Sequence, residues 1–143
     1  GLQAAAEEAN CVFVSPCLDG FVLVIGLPRF PEQGLAGAFR QVQAFATHRV
    51  TEYHAWARWN SGTLERMYVY DGSRGVVTVQ TGELTAQEIA LGFGRFPQKG
   101  REDRCEANPT EEDVLDLAAA WGVDPRMEAA AYPPSAGWIC TVR

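Results

Sequence analysis

QAFATHRVTEYHAWARWNSGTLERMYVYDGSRGVVTVQ, residues 43–80, is the stretch on which the fold turns. Residues 43–49, 53–59, 64–70 and 76–80 are runs of aromatic and β-branched residues, which suit a pleated, half-buried surface. Asn60-Ser61-Gly62 and Asp71-Gly72-Ser73-Arg74-Gly75 lie between them and accept positive φ at little steric cost. Short runs joined by breaks this tight return antiparallel, so the segment predicts an antiparallel meander. On the run from Tyr53, His54, Trp56 and Arg58 share one face while Tyr53, Ala55, Ala57 and Trp59 share the other. Arg66, Tyr68 and Tyr70 alternate with Met67 and Val69 on the next run. That alternation would bring Trp56, Tyr68 and Tyr70 together across the hairpin.

Upstream, residues 11–15 (CVFVS) and 20–26 (GFVLVIG) have almost no polar alternation. They read as buried strands paired through the turn-rich Pro16-Cys17-Leu18-Asp19. Residues 4–10 are a short helix former. Residues 31–42 carry Leu35, Phe39 and Val42 at helical spacing, an amphipathic helix weakened by Gly34 and Gly37. Downstream, Thr85-Ala86-Gln87-Glu88 is a capping box that opens a short helix to about Leu91. Residues 92–107 read as a loop. Asn108-Pro109-Thr110-Glu111-Glu112-Asp113 starts a helix: it offers a cap residue, an early proline and acids for the positive helix end. That helix buries Val114, Leu117, Ala118 and Trp121 and stops at Gly122. Asp124-Pro125 caps a last short helix through Ala130, Tyr132-Pro133-Pro134 stops it, and residues 138–142 form an apolar tail. The expectation is one α+β domain over residues 1–143: a mainly antiparallel sheet of about five to six strands in a meander, packed by several short helices.

Composition narrows the function classes. A chain of 143 residues, 47% hydrophobic and 21% charged, has room for one core and the make-up of a globular protein. A formal charge of −6 leaves no basic footprint for phosphate backbones, so nucleic acid is not an expected ligand. The longest apolar run, residues 21–25, is far short of the roughly 20 residues that span a bilayer. A soluble, cytoplasmic protein is expected. The chain opens Gly1-Leu2-Gln3 with no initiator Met and no signal pattern, which reads as a processed or tagged end and leaves room for an upstream segment. The four cysteines, Cys11, Cys17, Cys105 and Cys140, could form two disulfides. A domain of this size needs no staples, and Cys11 and Cys17 lie among apolar residues, so reduced, mostly buried thiols are expected. With no CxxC pair, a zinc site is not indicated.

Three constellations invite chemistry. His48 and His54 bracket Glu52, the composition of a metal or acid/base site. On one extended strand, six steps of about 3.3 Å would hold the rings roughly 20 Å apart, and only a bend at residues 50–52 would gather them. Otherwise each histidine hydrogen-bonds within or at the edge of the sheet. A small hydrolase or nucleotide-modifying enzyme using His48, Glu52 and His54 is the alternative reading. No GxSxG elbow is present, and Gly92-Phe93-Gly94 lacks the third glycine of a phosphate-binding loop. No catalytic residue, cofactor or metal ligand is therefore expected. Trp56, Tyr68 and Tyr70 near arginine are a mix enriched in protein interfaces, although such rings also pack beneath helices. Glu111, Glu112 and Asp116 form an acidic face: either helix capping in solvent or a docking patch for a basic partner.

Phe45-Ala46-Thr47-His48-Arg49-Val50, Glu52-Tyr53-His54 and Trp56, with Tyr68-Val69-Tyr70 and Gly75, resemble a family of small uncharacterised bacterial proteins. Leu84-Thr85 with Glu88, residues 111–115 (EEDVL) and Ala120-Trp121 extend the resemblance over about residues 11–125. That family is in turn similar to immunity proteins encoded beside secreted antibacterial toxins. Cys17 stands where its relatives tend to have a second proline. The resemblance implies a binding protein that neutralises a cognate toxin by occluding its active site, without a cofactor; the aromatic and acidic constellations above supply its expected partner-binding residues, Glu111, Glu112, Asp116, Trp56, Tyr68 and Tyr70. The third reading is an adaptor domain of a larger protein.

Overall fold

A computed structural model describes residues 11–26, 33–127 and 136–141. In chain order the elements are β1 (Cys11–Leu18), β2 (Phe21–Ile25), α1 (Gln33–Ala36), β3 (Gln41–His48), β4 (Tyr53–Asn60), β5 (Thr63–Asp71), β6 (Val76–Thr81), α2 (Ala86–Ala90), α3 (Glu111–Trp121) and β7 (Trp138–Thr141). The fold is α+β with antiparallel pairing. Among the described residues its strands form a three-stranded sheet, β2-β1-β7, and a four-stranded sheet, β3-β4-β5-β6, rather than the single sheet of five to six strands expected. Local sequence specifies each run and each hairpin; it does not specify which free edge a hairpin joins.

Two turns carry the tight hairpins. Asp19 and Gly20 (φ 48° and 86°) close β1 onto β2, and Ser61 and Gly62 (φ 48° and 81°) close β4 onto β5. Positive φ at both central residues gives the type I′ turn, whose twist matches that of the flanking strands. Gly72 has a different task. A Cβ there would lie 2.4 Å from Glu52 Cβ, so only glycine lets the β5–β6 loop rest against the β3–β4 loop.

Four expectations are corrected. β1 continues to Leu18 through a bulge between Val14 and Cys17, where Pro16 is tolerated because a bulge interrupts the ladder anyway. Ser15 Oγ accepts from the Leu23 N–H at 2.9 Å there. Cys17 is consequently an exposed free thiol, not a buried one; Cys140 is also exposed and Cys105 half-buried, both free, while the Cys11 side chain lies outside the described residues. Of the helix expected over residues 31–42, the described part is helical in α1, and Gly37 gives way to the approach to β3. Thr110, not Asn108, caps α3, in a capping box with Asp113. Asp124 begins a turn closed by Met127 N–H donating to Asp124 O at 3.1 Å, and the rest of the helix expected to Ala130 lies outside the described residues, as do the 4–10 helix and Tyr132-Pro133-Pro134.

The four-stranded sheet is apolar on both faces. On one, Trp56, Tyr68, Tyr70 and Val77 pack against Val114, Leu117 and Trp121 of α3 and against Phe93 and Phe96. Those two phenylalanines come from the 92–107 segment, where a 3-10 turn, Phe93–Arg95, aims both inward. Each buried ring of this kind contributes about 1.5–3 kcal/mol. On the other face, Ala55, Ala57, Trp59, Met67 and Val69 cluster with Ala36 of α1. No helix among the described residues is long and apolar enough to cross a membrane.

Candidate functional site

The bend that could gather the histidines exists but does not gather them. Residues 49–52 return the chain, with Glu52 at φ 50°. Thr47 then opposes His54, and His48 opposes Tyr53. Opposed residues share a face and successive ones alternate, so the two imidazoles leave opposite faces of the sheet. His54 is buried, with Nδ1 3.0 Å from Thr47 Oγ1 and Nε2 3.3 Å from Glu52 Oε2. His48 is exposed, with Nδ1 3.0 Å from Thr51 Oγ1. Each histidine thus bonds within the β3–β4 hairpin, to a different partner. No group of three His, Cys, Asp or Glu among the described residues is arranged to hold a metal ion.

The aromatic set converges, but inside the protein. Trp56, Tyr68 and Tyr70 are 1%, 1% and 3% exposed, so their assignment as partner-binding residues is corrected: α3, Phe93 and Phe96 cover that face. Trp56 and Tyr68 stack with centroids 4.4 Å apart. Trp56 Nε1 donates to Glu88 Oε1 at 2.8 Å and Tyr68 O–H to Pro97 O at 2.9 Å. Burial pushes the Tyr68 phenol well above its ordinary pKa, with neighbouring Tyr70 adding to the shift. Beneath the stack lies a buried ion pair the sequence did not announce: Arg66 Nε reaches Glu88 Oε1 at 2.9 Å and Oε2 at 3.1 Å. Arg66 Nη1 also donates to the carbonyls of Thr81 and Gly82, each at 3.2 Å. The pair ties α2 to β5.

The acidic residues of α3 lie at the surface and already have partners. Glu111 pairs with Arg49, and Glu112 pairs with Arg126. Arg126 also reaches Asp116 Oδ1 and Asp124 Oδ1, each at 2.9 Å. The side-chain hydrogen bond from Arg126 is the main reason the Asp124 carboxyl is held below its usual range. Two arginines among four acids leave this surface negative, but less so than the bare sequence suggests.

What sequence reading missed is a cleft of about 800 Å³ between the two sheets. Residues of β2 from Phe21 to Ile25 line one side, and residues of β3 from Gln41 to Thr47 line the other. Residues of both alternating faces take part on each strand, so the strand edges themselves bound the opening. Leu35 of α1 and Val114, Leu115 and Ala118 of α3 complete it. The two helices pack on opposite faces of the four-stranded sheet, through Ala36 and Val114, so the cleft runs between them. Phe39 and Val22, 60% and 56% exposed, stand in its lining, and Arg40 is the only charged residue there among those described. Such a volume suits a bound ligand or peptide segment. The lack of polar alternation that makes 21–25 look fully buried was legible; which strands neighbour it was not.

Comparison with protein-family models, with curated proteins and with solved structures gave no match.

Proposed function

We propose that this chain is an immunity-type binding protein: it binds a cognate antibacterial toxin in the cytoplasm and neutralises it by occluding the toxin's active site. The observation that carries the reading is the apolar cleft with Phe39 and Val22 exposed in its lining, because large apolar side chains held in solvent beside a concave surface mark interaction sites. The acidic surface of α3 adjoins it: Leu115 lines the cleft and Glu111 lies one helical turn before it. A basic partner would be steered to that side. The resemblance of residues 45–56 and 111–121 to small bacterial proteins akin to immunity proteins supports the same reading. Binding by surface complementarity calls for no metal, cofactor or nucleic acid.

The experiment is co-purification with the product of the neighbouring open reading frame, after treatment of both proteins with a chelator. Stoichiometric capture with loss of the partner's toxicity is expected. Failure to capture it, with toxicity unchanged, would remove the immunity reading.

A further inference from the structure

We infer that residues 96–105 are an edge guard: a loop whose charged side chains occupy outer main-chain groups of β6 and so keep that strand from pairing with β6 of a second copy. β6 is the last strand of its sheet and, among the described residues, pairs with β5 alone. Its sequence, VVTVQT, has five β-branched residues out of six and no Lys, Arg, Asp, Glu or Pro. Exposed edges of that composition template further strands, and proteins blunt them with charge, bulges or a covering segment. Since β6 carries no charge of its own, the charge has to come from elsewhere in the chain.

The loop is built for that place. Its ends meet where Glu106 N–H donates to Arg95 O at 2.9 Å, the closed neck of an Ω-loop. One end is anchored in the core, because Phe96 is buried and Pro97 O accepts from Tyr68 O–H at 2.9 Å. Residues 98–101 then form a β-turn closed by Arg101 N–H donating to Gln98 O at 2.8 Å. Gly100 stands third in it at φ 78°, the positive φ that a type II turn requires there. That turn sets Lys99 against the strand: its N–H donates to Gln80 Oε1 at 2.8 Å and its Nζ to Thr78 O at 3.0 Å. Glu102, opening the 3-10 turn that follows, accepts through Oε1 from Val77 N–H at 3.3 Å and from Gly100 N–H at 3.2 Å. Its own N–H and that of Gly100, with a smaller share from Val77, hold the Glu102 carboxyl below its usual range.

Main-chain N–H and C=O groups lie in the plane of a sheet, so those that a crossing loop reaches are turned away from β5 and are the ones an added strand would use. Thr78 is also the extra residue of a bulge, since Val77 opposes Tyr70 and Val79 opposes Val69. An incoming strand meets an ammonium and a carboxylate where it needs an N–H and a C=O, so pairing requires the loop to leave. A second copy is the occupant held off because this uncharged edge, presented twice about a two-fold axis, complements itself in the antiparallel sense with no charge to repel. The guard is independent of the partner-binding reading above.

The test compares the intact chain with the double variant Lys99→Ala, Glu102→Ala by sedimentation and amide hydrogen exchange across roughly a hundredfold range of concentration. In the dilute variant the Val77 amide, deprived of its acceptor, should exchange about tenfold faster while that of Val69 in β5 is unchanged. As concentration rises the variant alone should dimerise, with the β6 amides regaining protection. Lys99→Arg with Glu102→Gln, which keeps a donor and an acceptor in place, should stay monomeric like the intact chain. A double variant that remains monomeric throughout, a dimer that leaves the β6 amides unprotected, or an intact chain that already pairs through β6 would overturn the guard. Should the double variant fail to fold, Glu102→Ala alone decides: faster exchange at Val77 but not at Val69 supports the guard, and unchanged exchange at Val77 overturns it.

Discussion

Replacing Glu88 with alanine should cost more stability than any surface substitution in the protein. Glu88 is fully buried and accepts from Arg66 Nε through both oxygens, from Trp56 Nε1, and from the Thr85 N–H as the carboxylate of the α2 capping box. Removing it strands the Arg66 guanidinium, only 1% exposed, with carbonyl partners but no counter-charge. An uncompensated buried charge costs about 3–5 kcal/mol. The unpaired indole N–H and the lost cap push towards the upper end of that range, since each is worth about 1 kcal/mol and the three losses share one group. A domain with 5–15 kcal/mol of stability, the usual span, would be left marginal. Urea denaturation at pH 7 followed by tryptophan fluorescence reads the loss, since Trp56 lies inside the transition. The double variant Arg66→Met with Glu88→Leu should recover most of it, because a buried pair exchanged for packed apolar groups is often neutral or better. A loss under about 1 kcal/mol for Glu88→Ala, or a double variant no more stable than the single one, would refute the reasoning.

Tyr68→Phe should cost about 1–2 kcal/mol at pH 7 by leaving Pro97 O without its buried donor. It should also flatten the alkaline limb: the folded phenol titrates above its unfolded value of 10.0, so its contribution is complete below pH 10 and declines as pH rises further. Thermal melts between pH 7 and 11 check both. Asp124→Asn should cost about 1 kcal/mol or less at pH 7, given how much of the Arg126 network is in solvent. The Asp124 carboxyl is depressed below 3.8, so its contribution is present above that value and lost as pH falls through the lower folded pKa; the difference from wild type in urea should shrink as the pH is lowered below 3.8. Glu112→Lys with Asp116→Lys should slow partner association at low salt, with the difference shrinking as salt rises, because both carboxylates lie at the surface beside Arg126. Stopped-flow association at two ionic strengths measures it.

What the sequence made legible was local. Asp19-Gly20 and Ser61-Gly62 carry their turn type in two residues, and Thr85 to Glu88 and Thr110 to Asp113 write out their capping boxes. The alternation that put Trp56 opposite Tyr68 is a property of two strands and one turn. What was not legible depends on distant chain. The inward aim of Phe93 and Phe96 comes from a 3-10 turn seated on a sheet some 25 residues earlier, a spacing no helical or strand period reveals. Pro16 looked like a turn because its tolerance depends on a bulge formed with β2. The fate of Trp56 and Tyr68, core rather than interface, was decided by α3 crossing above them. The cleft was invisible for the same reason: a strand's own residues say that it wants neighbours, not whether both are present.

The proposed function, binding of another protein with no bond-making chemistry from this chain, stands or falls on a titration of the chelator-treated chain into the product of the adjacent reading frame while that product's activity is followed. Complete inhibition at one chain per toxin, unaffected by added divalent metal, is the predicted result. Full toxin activity at saturating chain would contradict it.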